Sequence, residues 1–289
     1  LLFALLAALA FGCVPILGKQ AFAEGLDPQT LLAWRFAIGS AVLWTLALVR
    51  PRPATIPASR RVALVALGVV YAGNSTLFFL ALERIPAATT SLVFYVYPAL
   101  VSVMGFAFLK RRVRPAGWAA LGLSLAGVAL TVGAARGPLD ARGVGLALLA
   151  AVVISAYLLL SESAVTGIPA LGATAHVLTG TALACWTWQA VTGRFAVPPT
   201  TRAWVLVFVM ATLSTAFSIL AMLSATRRIG AGPTSIVLTL EPAFTATLAA
   251  LFLGESLTPR QVLGGALVLG GVALVRVASL RTSQPLADA

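Results

Sequence analysis

Arg35 and Glu241 lie inside long apolar runs of this 289-residue chain, and Glu162 and His176 lie nearer the ends of two others. A carboxylate among apolar neighbours is costly to keep charged, so Glu241 has two readings. It titrates as a proton-coupling group, or it braces the backbone by accepting hydrogen bonds that the adjacent Pro242 leaves free. An arginine in the same setting meets an anionic group on a solute, or it snorkels to an interface or pairs within a bundle. Glu162 reads as exposed at a cavity mouth, and His176 as an ordinary residue at the edge of its run. Enzyme chemistry needs a nucleophile, base and orienting group, or a ligand set, at workable spacing. The chain has one His, and its two Cys, Cys13 and Cys185, lie far apart in separate apolar runs. There is no HExxH, no pair of acids within one run and no Gly-rich phosphate loop. The expectation is a protein that is not an enzyme, with no cofactor and no metal site. No filter-like or charge-ringed segment marks a channel.

The remaining polar groups fall in stripes at helical spacing. Tyr71, Asn74 and Phe78 follow i, i+3, i+7, with Ser75 beside them, and Thr90, Phe94 and Tyr97 form a second stripe flanked by Ser91 and Tyr95. Thr234, Ser235 and Thr239 precede Glu241, and Ser214, Thr215, Phe217 and Ser218 cluster in another run, while Ser155, Tyr157 and Trp186 mark two more. Polar groups in hydrocarbon turn toward a bundle interior. Together these predict a midplane cavity of aromatics and hydroxyls that suits an amphiphilic solute with a large apolar part. The alternative for any single Ser or Thr is helix-to-helix glue.

The elements that must position these residues are membrane spans. Hydrophobic residues make up 60% of the chain and charged residues 10%, with a mean hydropathy of +1.00. A soluble domain carries about 45–50% apolar and about 25% charged residues, so a soluble fold is excluded. The net charge of +12 comes from short basic clusters between apolar runs, such as Arg50-Pro51-Arg52-Pro53. That pattern fits anchoring against an anionic leaflet and not a nucleic-acid face. At about 20 residues per crossing, the chain divides into ten spans: 2–18, 31–49, 62–82, 87–109, 116–135, 143–163, 171–191, 203–226, 231–253 and 261–280. The first could pass for a signal peptide, but no basic stretch precedes it and a repeat gives it a structural mate.

That repeat is the strongest feature. A shift of 144 residues lays 81–131 over 225–275 without a gap. It matches Arg84-Ile85 to Arg228-Ile229, Thr90-Ser91 to Thr234-Ser235, Pro98-Ala99 to Pro242-Ala243 and Pro115 to Pro259. The chain is expected to be an all-α membrane protein of ten transmembrane helices in two five-helix repeats, 1–136 and 137–281, with 282–289 as a cytoplasmic tail. An odd number of spans per repeat inverts the second against the first. Charge agrees, with twelve basic residues in loops on the N-terminal side and seven on the other, Arg35 aside. Lys110-Arg111-Arg112-Val113-Arg114 also corresponds to Gly254-Glu255-Ser256-Leu257-Thr258, which lacks basic residues. Both termini are then cytoplasmic, and the protein is a multi-pass resident of a bacterial-type inner membrane. Pro98 and Pro242 are expected to kink their spans at inverted, equivalent positions and to shape opposite gates, or to be static bends. Gly122xxxAla126 and Ala266xxxGly270 give spans five and ten small-residue faces for close packing or a homodimer.

Glu241-Pro242-Ala243-Phe244, then Phe252-Leu253-Gly254-Glu255-Ser256-Leu257-Thr258 and Gly264-Gly265-Ala266, resemble the second-repeat signature of EamA-type members of the drug/metabolite transporter superfamily. Trp34-Arg35-Phe36 and the run from Ala87 to Pro98 are also similar to the family pattern, and the resemblance covers essentially the whole chain. It departs at Tyr97-Pro98, where the second repeat has Glu241-Pro242. The resemblance implies a secondary transporter, usually an exporter of small metabolites, with the amino-acid exporters of the YddG type nearest. Hydrophobic or aromatic amino acids are the expected solutes, in a cavity that includes Trp34 and Arg35 beside the stripes above. Partners are then a small-molecule substrate and the lipid bilayer. Efflux of lipophilic cations is the alternative, and it makes an acid such as Glu241 indispensable.

Overall fold

The structure is a computed structural model that describes residues 1–49, 56–110, 115–133, 139–229, 234 and 237–280. Arg50, Arg52, Arg111, Arg112, Arg114, Arg136, Ser235, Arg281 and the expected tail at 282–289 lie outside the described residues. All regular structure among the described residues is helical. The helices are α1 (Leu2–Ala23), α2 (Pro28–Leu48), α3 (Ala58–Arg84), α4 (Ala87–Phe94), α5 (Tyr97–Leu109), α6 (Pro115–Gly133), α7 (Ala141–Val165) and α8 (Ala170–Thr192). They continue with α9 (Thr201–Ala211), a π-helical turn (Thr212–Phe217), α10 (Ser218–Ile229), α11 (Glu241–Leu253) and α12 (Pro259–Leu280).

Six segments are long and apolar enough to cross a bilayer: Leu2–Ala23, Pro28–Leu48, Ala58–Arg84, Ala87–Phe108, Ala141–Val165 and Thr201–Thr226. Gly117–Gly133, Glu241–Leu253 and Pro259–Leu274 are shorter apolar helices. α8 is 23 residues long but more polar, carrying His176, Gln189 and several threonines. α1 runs past its expected end through Lys19, because nothing stops it before Gly25, which turns the chain at φ +85°. α2 then starts from Asp27, whose carboxylate accepts from the Gln29 and Thr30 backbone N–H groups. Pro28 fills the first turn, where its missing N–H costs nothing.

Two interruptions break the expected continuous spans. The fourth span divides at Tyr95-Val96, and Pro98 sits in the first turn of α5 instead of kinking a continuous helix. Its repeat mate Pro242 occupies the same place in α11, after a turn at Thr239-Leu240. A proline has no N–H for the preceding turn, so a helix that meets one here restarts. The two breaks face each other, since the Tyr95 hydroxyl donates to the Leu238 carbonyl at 2.7 Å. In the eighth span the π-helical turn adds a residue to the winding, which polar spacing does not reveal. Pro15, by contrast, lies within an unbroken α1.

Long-range contacts sort the loops onto two ends. Arg60 bonds the Ser163 and Ala164 carbonyls, and the Arg228 guanidinium lies over the Phe3 ring. The opposite end joins Glu24 to Thr200 and Arg202 and Arg84 to Asp140. Asp140 caps α7, and the Arg142 backbone N–H, followed by Arg84, holds its carboxyl below the usual range.

Helix packing relies on close backbone approach, as expected where lipid competes for every apolar face. α3 lies between α7 and α8, α1 packs on α10 and α11, and α6 runs along α12. A Cβ on Gly68 would press on the Val177 carbonyl and lie 2.6 Å from the Thr181 nitrogen. Gly68→Ala is expected to cost about 1–3 kcal/mol, because backbone cannot yield and the overlap outweighs the gain of about 1 kcal/mol in helix propensity. A lower melting temperature in detergent would show it. Gly145→Ala, at a position where an added Cβ meets nothing within 4 Å, is the neutral control. The close α6–α12 approach uses Gly127, Gly264 and Gly271, one face round from the Gly122 and Gly270 pairs singled out by spacing.

Candidate functional site

A cavity of about 260 Å³ lies at the centre of the bundle, where α1, α2, α3, α4, α7, α8, the π-helical turn, α10 and the start of α11 converge. That is room for about nine waters at roughly 30 Å³ each, the size of a metabolite of around ten non-hydrogen atoms. Eleven of the expected residues line it: Arg35, Tyr71, Asn74, Ser75, Phe78, Ser91, Phe94, Tyr157, Ser214, Thr215 and Glu241. The α3 stripe, with Ser75 beside it, supplies four of them.

Arg35 is two turns into α2 and only 5% exposed. Its Nε donates to the Thr215 hydroxyl at 3.1 Å, and the guanidinium carbon is 5.1 Å and 5.6 Å from the Phe36 and Phe79 ring centroids. The π-helical turn prepares that acceptor, because Thr215 spends its own proton on the Met210 carbonyl five residues back, at 3.1 Å. The terminal nitrogens of Arg35 make no hydrogen bond to a described residue. A guanidinium has five donors in a fixed fork, so four remain for the cavity.

Glu241 begins α11, where the positive end of the helix dipole favours a carboxylate. It lines the cavity and makes no hydrogen bond or ion pair with a described residue. Among the described residues it caps no backbone group beside Pro242. Tyr71 lies close enough to both Arg35 and Glu241 to feel their charges. Its ring meets Tyr157 at 5.3 Å, and Phe78 meets Phe94 at 5.1 Å. Asn74 Oδ1 and Ser214 Oγ are buried without a partner among the described residues, both on the cavity wall. A cation with open donors, a free carboxylate, two unpartnered oxygens and aromatic rings can grip a solute with charged and apolar parts.

Ten expected residues among the described ones lie elsewhere, Thr234 and Ser155 among them, the latter donating to the Tyr97 and Ala151 carbonyls. Trp34 and Trp186 stack edge to face, with Trp204 against Trp34, and the Trp34 indole donates to the Ala196 carbonyl at 3.1 Å. Thr90 donates to the Pro86 carbonyl and Ser218 to the Thr215 carbonyl, so both hydroxyls serve their own helices. Tyr95 bridges the two helix breaks, Tyr97 packs beside Phe94 and Tyr95, and Thr239 lies in the turn before α11. Phe217 is 39% exposed. Sequence reasoning missed Phe11 and Val14 of α1, and Thr174, Val177 and Leu178 of α8. It also missed Ile219 and Met222, although the 144-residue shift carries Tyr71, Ser75 and Phe78 onto Thr215, Ile219 and Met222, all of which line the cavity.

Membrane-crossing helices around a largely apolar central cavity that carries a few charged and polar groups, two of the helices interrupted at its level, are the build of membrane transporters. The profile of the EamA-like transporter family matches residues 1–133 and 141–277, and the chain belongs to that family. It is a multi-pass membrane transporter of the drug/metabolite type, acting on small molecules. A solved structure, described as a crystal structure of a protein, is similar in fold, with a TM-score of 0.70 at 22% identity over 98% of each chain. No curated protein matches the chain.

Proposed function

We propose that the protein is a secondary transporter that exports amino acids with hydrophobic or aromatic side chains across a bacterial-type inner membrane. It does so by alternating access, with ten spans in two inverted repeats and both termini in the cytoplasm. The observation that carries this reading is Arg35, a buried cation whose open donors face a cavity that also holds the carboxylate of Glu241. A buried charge without compensation is expensive, and an α-carboxylate would supply the missing partner in bidentate geometry. Glu241, Asn74 and Ser214 would receive the ammonium group, and the rings of Tyr71, Phe78, Phe94 and Tyr157 the side chain. Gly122, where an added Cβ meets nothing within 4 Å, and Gly270, where it meets Leu123 at 3.8 Å, offer small faces that would suit a homodimer.

A second reading, efflux of lipophilic cations, is favoured by the unpartnered Glu241 among aromatic rings. Uptake of a radiolabelled panel into proteoliposomes, with and without a pH gradient, separates the two. Saturable uptake of hydrophobic or aromatic amino acids is expected. Uptake of lipophilic cations alone would replace the amino-acid reading with the second one.

A further inference from the structure

Glu255 lies in the loop between α11 and α12, yet its two carboxylate oxygens accept from the backbone N–H groups of Ala87 and Ala88, at 2.7 and 3.0 Å. These residues open α4, whose own N-cap, Pro86, provides no side-chain acceptor. The cap is supplied from 168 residues away and ties the two halves of the chain together. It satisfies two orphan donors and places negative charge at the positive end of α4. Lys19 of α1 lies within electrostatic reach of both Glu255 and Glu83. All of this is at the end of the bundle that also carries the Arg84–Asp140 pair.

The internal repeat makes the cap one-sided. The 144-residue shift puts Arg111 in the place of Glu255, Arg227 in the place of Glu83, and Ala231-Gly232 in the place of Ala87-Ala88. An arginine has no acceptor, so the equivalent position supplies no carboxylate. In sequence, then, the repeat-equivalent positions do not carry the residue types of this cap. The cavity, meanwhile, reaches Thr174, near the start of α8 at that other end.

We propose that Glu255 is a latch that closes the cavity at the Arg84–Asp140 end, and that each transport cycle opens this end by withdrawing the carboxylate from α4. The one-sided latch sets the resting state, closed at its own end and open at the end of α1 that holds Leu2. This inference rests on the transport reading, but its test reads accessibility and needs no solute. Ser214→Cys, in a background with Cys13→Ser and Cys185→Ser, places one thiol on the cavity wall. A membrane-impermeant thiol reagent is applied to each face of oriented proteoliposomes.

With Glu255 intact, the thiol should react from the Leu2 face and be protected from the latch face. Glu255→Ala should raise latch-face labelling by about tenfold, as expected for losing a charge-assisted pair of hydrogen bonds. Glu255→Gln, which keeps one acceptor oxygen and loses the charge, should give a smaller rise. Latch-face labelling unchanged in both variants, with Leu2-face labelling retained as the sign of a folded protein, would overturn the latch. So would equal labelling from both faces with Glu255 intact. If the Ala variant loses all labelling through misfolding, the isosteric Gln variant decides. Failure of amino-acid uptake would leave these accessibilities unmoved.

Discussion

Arg35→Gln is expected to weaken uptake of an α-amino acid by about 10- to 100-fold, chiefly as a higher KM. The figure follows from charge-assisted hydrogen bonds worth roughly 1.5–3 kcal/mol, at about 1.4 kcal/mol per tenfold. The loss falls on binding because the fork of Arg35 is pre-set: Nε is held by Thr215, and the plane is fixed over Phe36 and Phe79. Arg35→Lys should recover part of the loss, since an ammonium keeps the charge but cannot present two parallel donors. The decarboxylated amine of the same amino acid provides the decisive comparison. Its uptake should be indifferent to Arg35→Gln, because nothing in it meets the guanidinium. If amine and amino acid lose uptake equally, Arg35 instead holds α2 against the π-helical turn. A matching drop in melting temperature would accompany that outcome.

The parts of this site that could be read in advance are those where a polar group has no local alternative. Tyr71, Asn74 and Phe78 share one face of α3, the rings cannot bond back onto their own helix, and the Asn74 Oδ1 finds no partner on it. Spacing alone therefore sends them to the cavity. Thr90 and Ser218 have the same periodicity but short hydroxyls, which return their protons to carbonyls of the same helix. Hydroxyl stripes on an apolar helix cannot distinguish these fates. Trp34 neighbours Arg35 in sequence, yet the two point a hundred degrees apart on a helix, and the indole joins an aromatic cluster and a loop carbonyl instead. The apolar wall of α1 carried no polar mark at all. The helix restarts at Pro98 and Pro242 were marked, but a proline in sequence cannot say whether a span bends or ends. That depends on whether another element bonds the interruption, as the Tyr95 hydroxyl does with the Leu238 carbonyl.

Glu241→Gln is the complementary substitution, and its effect should be the mirror of the first. The amide is isosteric, and no hydrogen bond to a described residue is lost, so the fold should survive with its melting temperature nearly unchanged. Amino-acid uptake should fall by about 10- to 100-fold, because the solute's ammonium loses its anionic partner. The desamino acid, which keeps the carboxylate and side chain, should be indifferent to Glu241→Gln and sensitive to Arg35→Gln. The amine should show the opposite pattern. That crossed result cannot arise from general damage to the protein, which would lower both analogues together. It also separates the two solute classes. A lipophilic-cation transporter would lose uptake with Glu241→Gln and lose none with Arg35→Gln, since removing a like charge from the cavity favours a cation. If Glu241 additionally couples a proton, the variant should lose gradient-driven accumulation while still exchanging solute at equilibrium, because exchange requires no net proton movement. A drop in melting temperature with equal loss of both analogues would instead make Glu241 a brace for the start of α11.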